Sequence, residues 1–274
     1  MRQGATMLGS RKNSGDSRLR QILLMTMSLL VPSINLAQAN IYCGTCEWRH
    51  WRPFVILGGG IALSSNLGKS RSFPDPATGG TDIYTASHGM QTVGAFDSFV
   101  GMEWAFHPKW KLQVGFGYNQ TATFALKGTL LQSVGTPSAT SFSYRYNAVA
   151  RQYLAEGKLL YNFYDYYHPY LELGLGVSQN VANAFQTNSL STSPVQTSAP
   201  QYPNQTSSSF SYNAGIGIDI DVLDNVRLGL GYRFANFGKV QLGNTIINTT
   251  AVNSMLSQSS FYVNEALAEI TFVF

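Results

Sequence analysis

Four times in this chain a stretch alternating large apolar residues with Gly or polar ones follows a turn. These stretches are Pro53–Ile61, Trp110–Tyr118, Tyr170–Val177 and Val226–Tyr232, and their starts lie 57, 60 and 56 residues apart. A second alternating stretch falls inside each interval. Period-two alternation is the mark of a strand with two unlike faces. The pattern predicts four hairpins, hence eight strands at roughly 53–64, 93–106, 109–123, 142–163, 169–181, 209–222, 226–237 and 259–274.

The faces separate cleanly. In the third strand Leu112, Val114, Phe116 and Tyr118 oppose Lys111, Gln113, Gly115 and Gly117. The fifth sets Leu171, Leu173, Leu175 and Val177 against Glu172, Gly174, Gly176 and Ser178. In the sixth Ala214, Ile216, Ile218 and Ile220 oppose Asn213, Gly215, Gly217, Asp219 and Asp221. The seventh sets Leu228, Leu230, Tyr232 and Phe234 against Arg227, Gly229, Gly231 and Arg233. In the eighth Ala266, Ala268, Ile270, Phe272 and Phe274 oppose Glu265, Leu267, Glu269 and Thr271. A soluble barrel would turn the apolar face inward and leave the Gly face in water, where Gly weakens a strand and covers nothing. The reverse suits an eight-stranded barrel with lipid outside and a crowded polar interior. The expectation is therefore an all-β, eight-stranded antiparallel up-and-down transmembrane β-barrel over residues 53–274.

Connections agree with that architecture. Short turns are expected at Phe106–Lys109, Tyr167–Pro169 and Leu223–Asn225, with long loops near 65–92, 125–141, 182–208 and 238–258. Membrane barrels have short turns at one rim and long loops at the other. Aromatics gather toward the turn end: Trp104, Phe106, Trp110, Tyr161, Phe163, Tyr166, Tyr167 and Tyr170, as an interfacial girdle requires.

Charge is scarce. Asp, Glu, Lys and Arg make up 12% of the chain, against about 25% in soluble domains. The N-terminus reads as a signal peptide over 1–39. Arg11, Lys12, Arg18 and Arg20 precede the apolar run Ile22–Val31, and Ala37-Gln38-Ala39 offers a cleavage site. Ten apolar residues fall well short of the roughly 20 a helical span needs. This leader holds five of the 18 basic and one of the 14 acidic residues, so 13 of each remain and the net charge falls to about zero. Nucleic acid is thereby excluded as a partner expected from charge.

The charges that remain fall largely on the inward face: Asp97, Glu103, Lys111, Glu156, Lys158, Glu172, Asp219, Asp221, Arg227, Arg233, Glu265 and Glu269. In a narrow lumen they must pair, since an isolated buried charge is costly. The expectation is an ion-paired plug in which Arg227 and Arg233 bridge acids on the sixth and eighth strands. A narrow cation-preferring pore is the alternative, given the acidic surplus.

Outside the barrel, residues 40–52 form an expected periplasmic segment containing Cys43-Gly44-Thr45-Cys46. A small disulfide loop, half a metal site and a redox centre compete for this pair. An oxidising compartment and the absence of a second CxxC favour a Cys43–Cys46 disulfide. The third loop, around 183–209, is Ser, Thr, Gln, Asn and Pro without charge, a composition that predicts mobility. The loops would form either a variable solvated cover or an adhesive surface. No catalytic residue is assigned. His107 and His168 fall in expected turns, His50 is N-terminal, and His88 lies beside Ser87 with no orienting carboxylate.

The chain closes on Glu269-Ile270-Thr271-Phe272-Val273-Phe274, an alternating strand ending in Phe. With the leader, the eight strands and the unequal connections, this resembles the small bacterial outer-membrane barrels, the group of OmpX, Opa-type surface proteins and the OmpA membrane domain. The resemblance covers essentially the whole chain after the leader. It implies that Phe272 and Phe274 act as an assembly signal read by the barrel assembly machinery. It also implies contact with outer-membrane lipid and lipopolysaccharide, a monomer, no cofactor, and host or matrix ligands at the external loops. No peptidoglycan-binding domain is expected after Phe274. The role implied is structural or surface interaction, with a small-solute pore and a lipid-modifying enzyme as alternatives.

Overall fold

The computed structural model describes residues 51–64, 70–75, 78–87, 89–190, 199–247, 250–252 and 256–274. The leader, Cys43, Cys46, His50 and His88 lie outside the described residues. Fifteen strands are described, and no helix: β1 Trp51–Ser64, β2 Arg71–Pro74, β3 Thr81–Ala86, β4 Gln91–His107, β5 Trp110–Thr121, β6 Phe124–Val134, β7 Thr140–Tyr161, β8 Tyr167–Ser189, β9 Gln205–Leu223, β10 Val226–Asn236, β11 Val240–Gln241, β12 Thr245–Ile247, β13 Thr250–Val252, β14 Ser257–Gln258 and β15 Tyr262–Val273.

Eight of them close a ring. β1 pairs with β4, β4 with β5, β5 with β7, β7 with β8, β8 with β9, β9 with β10, β10 with β15, and β15 returns to β1. Every pairing is antiparallel. The closing pair runs Phe54↔Val273 to Leu63↔Asn264, so the first and last strands seal the barrel and leave no open edge in the ring.

The outer face is apolar and bounded by aromatics at two levels. At the turn end Trp51 stacks on Trp104, centroids 5.4 Å apart, and Trp110 meets Tyr161 edge-on at 4.8 Å. A second level, not anticipated from the sequence, joins Phe96, Tyr118 and Tyr153, and continues through Phe210, Tyr212, Phe234 and Tyr262. Trp104 follows Phe96 by eight residues, Tyr118 follows Trp110 by eight, and Tyr161 follows Tyr153 by eight. Eight residues at about 3.4 Å, on strands tilted by about 40°, cover about 21 Å of height, close to the roughly 25 Å apolar band of an outer-membrane barrel. Tyr170 does not join either girdle. It shares the parity of Glu172, points inward and is buried.

Beyond the second level the strands continue. β5 ends at Thr121, but the chain resumes as β6 against the same partner: Gln120 faces Arg151 and Phe124 faces Ala148. Three residues then oppose two, a β-bulge that carries one long strand out of the ring. β6 goes on to pair with β3, and β3 with β2. Residues 125–141, expected as a loop, are therefore mostly strand, and β8 runs to Ser189 through a second bulge where Ala184 has φ 55°. The reason is physical: above the lipid both faces of a strand can be polar, so the apolar period that locates a strand disappears although pairing continues. Gln205–Ser209 of β9 shows this, being polar throughout.

Two further boundaries differ from expectation. Trp51 and Arg52, placed in a periplasmic segment, belong to β1 and face Trp104 and Glu103. The turn between β7 and β8 lies at Tyr164–Tyr166, with Phe163 and Tyr167 exchanging backbone hydrogen bonds of 2.8 and 3.1 Å. Tyr164 and Asp165 take positive φ there, at 51° and 61°. Pro169 had suggested the turn, but it sits in β8 opposite Ile218, near the strand's start, where Pro is tolerated.

Candidate functional site

The alternation that points leucines at lipid points charges into the lumen, where they form three tiers. Nearest the turn end, Arg227 on β10 donates from Nε to Asp221 Oδ1 at 2.9 Å and from Nη2 to Glu103 Oε1 at 3.0 Å. Gln113 Nε2 donates to the same Glu103 carboxylate at 2.8 Å. Asp221 Oδ2 lies 2.8 Å from Nε2 of His168, which is buried in β8 rather than held in a turn.

The middle tier centres on Lys158, which is fully buried. Its Nζ is 2.8 Å from Glu269 Oε2 and 3.1 Å from Asp219 Oδ2, and sits 3.7 Å from the centroid of the Tyr170 ring. Lys158 is on β7 and Glu269 on β15, four strands apart either way around a ring of eight, so this ion pair spans the lumen. Tyr170 lies across two neighbouring strands, because a Cβ at Gly217 or Gly231 would run into its ring and hydroxyl. Glycine on the inward face is the space this tyrosine occupies, as when aromatics cover strand glycines elsewhere.

In the third tier Arg233 donates from Nη1 to Asp97 Oδ1 at 2.6 Å and from Nε to Glu172 Oε1 at 2.8 Å. Asn119 Nδ2 donates to both oxygens of Glu265 at 3.0 and 2.8 Å, and Asn213 Nδ2 to Glu156 Oε1 at 2.8 Å. Among the described residues neither Lys111 nor Glu156 forms an ion pair within 4 Å.

Arg227 and Arg233 were expected to bridge the strands beside them. Arg227 does reach Asp221 on adjacent β9, but its guanidinium fork lies on Glu103 of β4, across the barrel. Arg233 stands directly opposite Glu265 on β15, yet lies 3.6 Å from it and closer to Asp97 on β4 and Glu172 on β8. The cause is reach. Side chains of cross-strand neighbours both point inward side by side, whereas a long arginine in a narrow eight-stranded lumen meets the opposite wall first. Asn119, Asn213, Gln113, His168 and Tyr170 also join this network; the alternation put Asn213 and Gln113 on the inward face without a role, His168 was expected in a turn and Tyr170 in the girdle, and Asn119 was not singled out. Their inward parity is the signal that could have found them.

Apolar clusters adjoin the network. Phe54, Ile56, Phe99 and Val273 pack beside the first tier, Phe99 lying between Asp97 and Glu103 on β4, with the two phenyl rings 4.8 Å apart. At the loop end a larger core gathers Tyr84, Phe124, Leu126, Leu130, Phe142, Tyr144, Tyr146, Tyr202, Phe237, Leu242, Leu256, Phe261 and smaller residues. Phe124 and Phe261 meet edge-on at 5.2 Å, and Tyr84 contacts Tyr144 and Tyr202. Between this core and the charges, Asn180 Nδ2 donates to the carbonyls of Phe237 and Lys239 at 2.6 and 2.9 Å, and Gln152 Nε2 to that of Asn236 at 3.1 Å. These bonds tie the last loop down onto the barrel mouth. Desolvation raises the pKa of Asp82 in this outer region, and pushes that of Tyr144 up to about 12.

Phe272 faces outward on β15. Phe274 follows it, exposed, with its N–H donating to the Pro53 carbonyl at 2.9 Å.

A family model described as an outer membrane protein beta-barrel domain matches residues 57–259. No curated protein sequence matches the chain. Among solved structures, OprG from Pseudomonas aeruginosa is similar at 14% identity, with 81% of this chain and 96% of that one covered and a TM-score of 0.46. Neisserial surface protein A is similar at 14% identity, covering 81% and 97%, TM-score 0.38. The outer membrane protease OmpT from Escherichia coli is similar at 10% identity, covering 82% and 97%, TM-score 0.40.

Proposed function

The chain belongs to the family of outer membrane protein β-barrel domains, and on that premise we propose that it is a closed barrel whose loop end serves as a surface-interaction platform of the adhesion or surface-antigen kind. It is an integral protein of the outer membrane. In such barrels the short turns face the periplasm and the long connections the exterior, which puts β2, β3, β6 and the outer halves of β7 and β8 outside the cell.

Support for this role comes from one observation above all, the apolar core at the loop end. Loops that merely cover a barrel have no need of a core. Here described residues of the external segments pack around Tyr84, Phe124, Tyr144, Tyr146 and Phe261, and a paired sheet stands above the membrane. Pre-ordered segments bind with a smaller entropic penalty than flexible ones. The same core lies at the loop end of the lumen, which the ion pairs cross lower down.

Deleting the four external connections one at a time, and measuring attachment of expressing cells to host-cell and matrix-coated surfaces, tests the role. At least one deletion is expected to abolish attachment while the barrel still folds. Unchanged attachment after all four would overturn it.

A further inference from the structure

In the sheet above the membrane, two neighbouring turns meet at one serine. Ser133 lies near the end of β6 at a bulge, where Thr81 and Ile83 of β3 face Val134 and Leu131. Two steps along β3 match three along β6, and Ser133 takes the extra place, buried, with φ 56°. Its N–H donates to Asp82 Oδ1 at 2.9 Å and its hydroxyl to Asp75 Oδ2 at 2.8 Å. Its carbonyl accepts from Thr136 Oγ1 at 2.8 Å, which closes the turn into β7.

Asp75 closes the turn of the β2–β3 hairpin. Its N–H donates to the Gly80 carbonyl at 2.9 Å, its carbonyl accepts from the Gly79 N–H at 2.9 Å, and its Oδ2 also accepts from Thr78 Oγ1 at 2.6 Å. Gly80 lies flat against Ser133, since a Cβ there would stand 2.9 Å from the Ser133 Cα. A left-handed serine persists only where its surroundings hold it. Here two carboxylates of the hairpin do.

Both carboxylates are out of water, Asp75 at 2% exposure and Asp82 at 4%. Sharing one serine, they stand close as like charges. From β3 itself the nearest titratable neighbour is Tyr84, a neutral phenol; on β2 Arg71 turns away and reaches the Ser257 carbonyl at 3.4 Å. β6 and the turn after it present only the neutral Gln132, Ser133, Thr136 and Ser138. Among the described residues no cation lies within 4 Å of Asp82. Desolvation first, and then the charge of Asp75, hold the Asp82 carboxyl above the ordinary aspartate range, against the pull of the Ser133 N–H.

We propose that Asp75, Asp82 and Ser133 form an acid-tightened clasp between the β2–β3 hairpin and the β6–β7 turn, so that the external sheet becomes more ordered as the medium acidifies. A proton on Asp82 ends the repulsion between the two carboxylates and leaves a carboxyl oxygen to accept from Ser133. The folded-state pKa lies above the unfolded one, so this contribution is complete at low pH and is lost as the pH rises through the folded value. The inference rests on the external placement of the sheet and not on what the sheet binds, so the clasp and attachment can fail separately.

Hydrogen–deuterium exchange of the full chain refolded in lipid vesicles tests it, read as protection factors at pH 5 and pH 8 for peptides covering 71–86 and 128–139. Protection factors divide out the intrinsic pH dependence of exchange and report local opening. Each pKa unit between the folded and open states changes that opening tenfold. Wild-type protection in both peptides should fall about tenfold from pH 5 to pH 8. The outer end of β8, Phe185–Ser189, carries no carboxylate and should stay level. D82N keeps an oxygen for the Ser133 N–H and cannot ionise, so it should hold the high protection at both pH values. If D82N does not fold, D82S, the smaller neutral replacement, decides by the loss of the pH response. Wild-type protection that stays level or rises with pH, or a neutral variant that keeps the wild-type response, overturns the proposal.

Discussion

At the scale of single residues, the lumen is governed by how few cations hold many carboxylates. Arg233 is within 4 Å of carboxylates on four residues, Asp97, Glu172, Glu265 and Glu269, all buried. A buried ion pair contributes little beyond what a well-packed apolar substitute would, but removing one partner strands the other. R233M is therefore expected to destabilise the barrel by about 3–5 kcal/mol, read from urea titration of the protein folded in lipid vesicles. Adding D97N, E172Q and E265Q to R233M should restore most of that loss, because the stranded charges go with their counterion. A cost for R233M below about 1 kcal/mol would mean that the lumen is solvated well enough to leave those carboxylates comfortable. The charges themselves were legible in the sequence, since parity alone puts Arg233, Glu172 and Glu269 on the inward face. Their partners were not. Alternation reports which face a residue is on, and nothing about which wall a long side chain will meet, so Asp97 and Glu103 across the barrel could not be matched to Arg233 and Arg227.

At the scale of elements, the strands inside the apolar band were readable and their outward continuations were not. Leu171, Leu173, Leu175 and Val177 mark β8 because lipid demands an apolar residue at every second position. Past Val181 that demand lapses, yet β8 runs on to Ser189, held by pairing with β7. The β7–β8 turn was misplaced for a related reason: Pro169 is a louder turn signal than Tyr164-Asp165, where the backbone is left-handed and only Asp165 is of a type that favours it. Asp165, at φ 61°, supplies the test. Asp tolerates that conformation, Gly adopts it freely, and a β-branched residue does not. D165G should leave urea stability within about 0.5 kcal/mol of wild type, while D165V should cost about 1–2 kcal/mol. Equal stability of the two variants would show that the turn does not hold this geometry in the membrane.

At the scale of the whole molecule, the lumen is braced wall to wall. Lys158–Glu269, Arg227–Glu103 and Arg233–Asp97 each join strands at least three apart in the ring, so the ion pairs hold the barrel across its width as the ladders hold it around its circumference. The sequence made the ring and its inside-out character plain, and left a plug and a narrow pore both open. What favours the plug is cross-barrel contact and the core formed by segments far apart in the chain, Phe124 against Phe261 among them, neither of which has a local signature. Planar-bilayer recording of the purified barrel distinguishes plug from pore. With ion pairs in each of the three tiers and an apolar core at the loop end, the wild-type protein is expected to give no stable conductance step at neutral pH across ±100 mV (about 2.3 kcal/mol per elementary charge). A stable, ohmic, cation-selective step would contradict the closed barrel, and would show that ions pass between the acids that Arg227, Arg233 and Lys158 hold together.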